Sequence, residues 1–124
     1  MNYPVGDFLI KIKNAALAGR KEVRGERSKL IEAVAKALKD KGYLSEISKD
    51  EAKITVKINF SKKNPVLMDM KLVSSPGLRV YWSVDDLEKR KGPSLFLITT
   101  PKGVMFSDEA VKKRLGGEII AEVI

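Results

Sequence analysis

Apolar residues recur at helical spacing from the start of the chain. Val5, Phe8, Leu9, Ile12 and Ala16 fall on one side of a 3.6-residue period and predict an amphipathic helix from residue 4 to about 18. Pro4 suits its first turn and Asp7 its positive end; Lys11, Lys13 and Asn14 take the polar face. Residues 19–27 make a charged connection, with four basic side chains in nine and a short strand near Val23. Ser28 is placed to cap a second helix, with Leu30, Ile31, Val34, Ala35 and Leu38 as its buried stripe. Lys29, Lys36, Lys39 and Lys41 point outward, and Gly42 stands where a helix-ending glycine belongs. The period then changes to two. Tyr43-Leu44 opens a strand to about Ser48, Lys49-Asp50-Glu51 turns the chain, and Ile54, Val56, Ile58 and Phe60 alternate with polar residues as a half-buried strand does.

The polar, proline-closed run Ser61-Lys62-Lys63-Asn64-Pro65 marks a boundary. Beyond it Val66, Met68, Met70 and Leu72 alternate. Ser74-Ser75-Pro76-Gly77 has the residues of a type II turn. Leu78, Val80 and Trp82 then return as a partner strand, with Arg79 and Tyr81 on its other face. Residues 85–88 suggest a helical turn. Leu95-Phe96-Leu97-Ile98 is a buried strand, Ser107 caps a short helix that Gly116-Gly117 stops, and residues 118–124 close the sheet. The expected fold class is α+β. An N-terminal α/β subdomain, residues 1–65, has two helices on a small sheet. It packs through an apolar seam on a mainly antiparallel β subdomain with a short helix, residues 66–124.

Charge adds direction. Of 124 residues, 24 are Lys or Arg and 16 Asp or Glu, a formal net charge of +8. Residues 1–65 hold 15 basic and 8 acidic side chains, residues 66–124 hold 9 and 8. The first half can therefore supply general attraction for phosphates, leaving the second to discriminate. Cys and His are absent, which excludes disulfides, the usual zinc sites, His-based triads and thiol nucleophiles. No cofactor or metal is expected. No apolar run of membrane-spanning length and no signal-peptide pattern is present, so an intracellular, cytoplasmic soluble protein without a membrane partner is expected.

The chemistry gathers at Thr99-Thr100-Pro101-Lys102-Gly103, where a buried strand delivers two hydroxyls, a lysine and a glycine to a turn. Hydroxyls and backbone N–H groups hold phosphates, sugars and base edges, and Gly103 permits positive φ. Ordinary turn chemistry accounts for the same five residues. Glu118 follows Gly117 directly and offers an acceptor for an amino group or a ribose hydroxyl. Tyr81 offers a ring for base stacking or serves as an ordinary half-exposed strand aromatic, while Lys13, Asn14 and Lys29 face outward, either as solvated helix faces or within reach of a nucleic-acid backbone. Thr99, Thr100 and Glu118 are expected to point out of the core. The carboxylates at 85–88 and 108–109 sit at helix starts, where capping explains them, so no catalytic residue is assigned. A phosphate-handling enzyme using Thr99, Thr100 and Lys102, and a generic basic nucleic-acid binder, stay open on these residues.

Taken together the motifs resemble a known family, the eighth protein of the small ribosomal subunit in its bacterial form. Pro4, Asp7 and Ile12-Lys13-Asn14-Ala15 match its opening, with Tyr3 in place of an Asp. Ser28-Lys29-Leu30, Gly42-Tyr43 and residues 73–81 follow. The C-terminal blocks Thr99-Thr100-Pro101-Lys102-Gly103-Val104-Met105, Asp108-Glu109-Ala110 and Gly116-Gly117-Glu118 are the most specific. The resemblance implies a structural protein that binds a helix in the central domain of small-subunit ribosomal RNA early in assembly. Residues 99–103 would enter the distorted core of that helix, with Glu118 close by. It also implies neighbouring ribosomal proteins as partners, the fifth of the small subunit among them, binding to its own messenger as feedback, and a monomer outside the ribosome. The family's loop usually reads Ser-Thr-Ser-x-Gly; here Thr99 keeps a hydroxyl, and Pro101 has neither hydroxyl nor N–H. The usual Val-Pro before Ser28 is replaced, Gly92-Pro93-Ser94 stands for a Gly-Leu-Gly, and no aromatic ends the chain.

Overall fold

The computed structural model describes residues 3–62, 64–67, 69–90 and 92–124. Met68, placed in the alternation above, lies outside them, as do Lys63 of the proline-closed run and Lys91 before the buried strand at 95–98. The chain forms two compact units, Pro4–Asp69, and Met70–Ile124 with Tyr3. Both combine helices with antiparallel strands, the expected α+β class.

The first unit runs α1 (Pro4–Leu17), β1 (Glu22–Glu26), α2 (Lys29–Asp40), β2 (Leu44–Lys49), β3 (Lys53–Ile58) and a two-residue pair, β4 (Phe60–Ser61) with β5 (Asn64–Pro65). Its sheet has the order β1-β3-β2. Val23, Ile54, Val56 and Ile58 are buried, together with Phe8, Leu9 and Ile12 of α1 and Ile31, Val34, Ala35 and Leu38 of α2. Both ends of α2 are set locally. The Ser28 hydroxyl accepts the Ile31 N–H at 3.2 Å. Gly42, at φ +87, lets its own N–H reach Lys39 and the Tyr43 N–H reach Leu38, the pattern of a glycine-ended helix. Leu30 is a correction: it is 41% exposed, one position off the i, i+3, i+4, i+7 series that begins at Ile31. Phe60 is another, since it leaves β3 for the small pair with Pro65.

The second unit contains β6 (Met70–Leu72), β7 (Tyr81–Trp82), α3 (Val84–Lys89), β8 (Leu95–Thr100), β9 (Gly103–Phe106), α4 (Ser107–Lys112) and β10 (Gly117–Val123). The sheet order is β6-β10-β8-β9, with β7 also on β10. The expected hairpin between residues 66–72 and 78–82 does not form. Both segments pair instead with successive stretches of β10, β6 with 121–123 and β7 with 117–118. The connection between them is closed by reciprocal bonds of Ser75 and Leu78. Gly77 keeps a negative φ, so the turn is not type II, which needs positive φ there. Leu78, expected inside, is 66% exposed. Leu67, at the end of the first unit, is buried at 2%, one step out of phase with the predicted alternation. On one face of the sheet Phe96, Ile98, Met105 and Ile119 form a core with Leu87 of α3 and Ala110 of α4.

Two helix ends differ from expectation. Ser107 is the first helical residue rather than the cap, and its hydroxyl accepts the Phe96 N–H at 3.0 Å, tying α4 to β8. The helix ends at Lys112 with Lys113 as its cap, ahead of Gly116-Gly117, and Arg114 is the left-handed residue that follows. Arg114 takes φ +59, its N–H reaches Val111, the Leu115 N–H reaches Ala110, and its guanidinium bonds Glu88 of α3.

Candidate nucleic-acid interface

Two residues, Pro101 and Lys102, link β8 to β9, and Thr100 pairs with Gly103 across the turn. Proline fixes φ near −65° and suits the first central position of a type I turn. Its missing N–H is not needed by the ladder at that place. Gly103 follows at φ +115, which lets the strand resume its path. Thr100 locks the arrangement from inside: its hydroxyl donates to the Gly103 carbonyl at 2.8 Å and accepts the Lys102 N–H at 3.1 Å. Thr100 is thus a correction to the outward placement expected for it. It is 7% exposed, and its hydroxyl serves the turn. Pro101, Lys102 and Gly103 are exposed.

Thr99 faces the opposite way from Thr100 and belongs to a row that crosses three strands. Glu118 of β10 stands opposite Thr99 on one side and opposite Tyr81 of β7 on the other. Directly opposed residues of antiparallel strands project from the same face. The row therefore sets a hydroxyl, a carboxylate and a phenol side by side at the base of the turn. Tyr81 is 67% exposed, whereas the Glu118 side chain is only 19% exposed. The close spacing depends on the glycines before Glu118. A Cβ on Gly117 would lie 2.1 Å from the Thr99 carbonyl oxygen, and one on Gly116 2.5 Å from that of Trp82. These glycines are spacers between strands, not a helix stop.

Two residues that sequence reading did not assign complete this surface. The Arg79 guanidinium lies 3.1 Å from the Glu118 carboxylate and 5.3 Å from the centre of the Tyr3 ring. The hydrogen bond to Glu118 raises the Arg79 pKa above its ordinary value. Burial, then the Glu118 charge, raises that of the Tyr3 phenol, so the ring meets Arg79 as a neutral π-face. The one signal available in the sequence was that Arg79 is two residues from Tyr81, hence on the same side of an extended segment.

The remaining expected residues belong to the first unit. Lys13 is half-buried and paired with Asp69 at 3.3 Å. Asn14 lines an open groove of about 470 Å³ with Lys11, Arg20, Glu22 and Arg24, floored in part by Ala15, Ala18 and Val23; its charged residues are three basic and one acidic. Lys29 is exposed at the first position of α2.

Comparison with known proteins decides among the readings left open. The family described as Ribosomal protein S8 matches residues 3–124. The chain belongs to the ribosomal protein S8 family. It is similar to a small ribosomal subunit protein uS8 of Nitratidesulfovibrio vulgaris (strain DSM 19637 / Miyazaki F), 37% identical over 97% of this chain and 96% of that one. Proteins of the same name from Wolbachia pipientis subsp. Culex pipiens (strain wPip) and Wolbachia sp. subsp. Brugia malayi (strain TRS) are 38% and 39% identical, each over 96% of this chain and 95% of its own length. Members of the S8 family are structural, so the enzymatic reading of Thr99, Thr100 and Lys102 falls away. Among the described residues no helix is long and apolar enough to cross a membrane.

Proposed function

We infer that this protein, a structural constituent of the small ribosomal subunit working in the cytoplasm of its cell, binds a helix in the central domain of the subunit's RNA through residues 99–103 and the row Tyr81, Glu118 and Thr99. The observation that carries the reading is that row, set on a rigid sheet beside a turn locked by Thr100. Proteins recognise RNA sequence where bases escape regular pairing and can be stacked on aromatic rings or bonded at their edges and 2′-hydroxyls. Tyr81 supplies the ring, Glu118 an acceptor, Thr99 a donor and acceptor. Lys102 stands at the tip as a phosphate contact. Lys29, Asn14 and the groove with Lys11, Arg20 and Arg24 supply further attraction to the RNA backbone. The same surface would accept a like-shaped segment of the protein's own messenger, which is where feedback would act.

Titration against a transcript of the central-domain helix and a scrambled transcript of equal length tests this. Thr99→Ala and Glu118→Ala should each weaken cognate binding by roughly 1–3 kcal/mol and leave scrambled binding unchanged. If both variants bind the two transcripts like the wild type, the row is not the recognition surface. Including the messenger's leader as a third transcript asks whether feedback uses the same residues.

Lys29→Ala should act differently, lowering affinity for both transcripts alike. The magnitude of the salt slope should fall by roughly 0.7–0.9, because one phosphate is no longer neutralised. Lys13→Ala should do less, because Asp69 already neutralises part of that ammonium's field. A loss confined to the cognate transcript would assign Lys29 to specific recognition instead.

A further inference from the structure

We propose that Arg79 is a positioning residue for RNA recognition, held between the Glu118 carboxylate and the Tyr3 ring so that Glu118 meets RNA as a fixed, charge-compensated acceptor. The proposal rests on the reading of the Tyr81, Glu118 and Thr99 row as the RNA surface. An acceptor carboxylate facing RNA is a physical problem, since every neighbouring phosphate repels it. In this surface Arg79 answers the problem at 3.1 Å. Beyond about a Debye length the pair looks neutral to the RNA, while at close range the carboxylate still has unused lone pairs. A carboxylate offers about four acceptor sites, and Arg79 takes one through its Nη1.

Arg79 is itself constrained. A guanidinium tends to lie against an aromatic face, and the Tyr3 ring stands 5.3 Å away. The Arg79 side chain is 46% exposed. Its outer N–H groups therefore reach solvent while the Glu118 side carries the bond. Tyr81 and Thr99 flank Glu118 in the register, so the carboxylate has neighbours on both sides and an ion pair at its tip.

The test is a double-mutant cycle on the full chain, with the central-domain transcript and its scrambled counterpart. Arg79→Gln should lower cognate affinity about tenfold or more and leave scrambled binding within twofold. In a Glu118→Gln background the same change should have little further effect, because the carboxylate it compensates is gone. Tyr3→Phe should behave like the wild type, since it keeps the ring, whereas Tyr3→Ala should show a weaker form of the Arg79→Gln defect. Arg79→Lys should recover part of the loss, keeping the charge without the planar stack. Thermal unfolding of each variant separates these effects from instability.

Additive losses in the cycle would overturn the proposal, because Arg79 would then bind RNA on its own account. Equal losses on both transcripts would overturn it too, as bulk charge. Wild-type affinity of Arg79→Gln, with cognate preference retained, overturns this proposal alone. A wild-type protein with no preference for the cognate transcript overturns the underlying RNA reading.

Discussion

Gly117→Ala is expected to destabilise the protein by about 3 kcal/mol or more, at the upper end for overpacking substitutions. The added methyl would sit 2.1 Å from the Thr99 carbonyl oxygen, 2.9 Å from its carbon and 3.2 Å from the Thr100 Cα. All three are backbone atoms, so no rotamer change relieves the clash. Strand β8 cannot step aside, because it is bonded to β10 on one edge and to β9 on the other. The strands must separate at the place where Glu118 and Thr99 are aligned, so cognate RNA binding should fall with stability. For a domain of this size the loss corresponds to a fall in Tm of roughly 10 °C or more. Gly77→Ala is the control: a Cβ there meets nothing within 4 Å and φ is ordinary, so unfolding should match the wild type. A Gly117→Ala protein that melts and binds like the wild type would show that the strands do not approach so closely.

The role of Gly117 illustrates which features were legible in the chain. Ser28 and Gly42 act on backbone groups a few residues away, so their signals are complete in the local sequence. Strand partners are different. Alternation at residues 66–72 and 78–82 says that these segments are extended and half-buried. It does not say that each pairs with β10, tens of residues later, instead of with the other. Ser107 precedes Asp108 and Glu109 as a capping serine would, but its hydroxyl is claimed by the Phe96 N–H eleven positions earlier. Gly116-Gly117 looked like a helix stop because glycine usually supplies the left-handed residue there. Arg114 takes that conformation instead, with its guanidinium bonded to Glu88. That leaves the two glycines for close strand approach.

The candidate site divides in the same way. The turn at 99–103 was visible because apolar strand, hydroxyls, proline and glycine are contiguous. The opposite orientations of Thr99 and Thr100 follow from the two-residue alternation, yet which one faces the core depends on the register with Gly103 and Glu118. The row of Tyr81, Glu118 and Thr99 joins three strands, and Arg79 enters only because β7 is placed beside β10. None of these neighbours is local in sequence, so residue chemistry alone named Tyr81 and Glu118 without showing that they touch one surface.

The second large effect is expected from Gly103→Val. Here space is not the obstacle, since a Cβ at Gly103 meets nothing within 4 Å. The obstacle is conformation. At φ +115 a β-branched residue is a steric outlier, and holding it there costs about 1–3 kcal/mol. The alternative is for the backbone to relax to negative φ, which turns the Gly103 carbonyl away from the Thr100 hydroxyl. Thr100 then loses its acceptor, and the Lys102 N–H loses an oriented partner. Either route damages the rigid turn, so cognate RNA binding should fall further than in Thr99→Ala, with a moderate drop in Tm. Gly103→Ala should lie between the wild type and Gly103→Val, because it has the same φ problem without β-branching. Thr100→Val supplies the matching test from the other side: it removes the hydroxyl, keeps the shape, and should lower stability by roughly 1–3 kcal/mol where Thr99→Ala does not. Thermal unfolding and the two-transcript titration read all four. If Gly103→Val and Thr100→Val both leave stability and cognate affinity unchanged, the lock between Thr100 and Gly103 is not what fixes the turn.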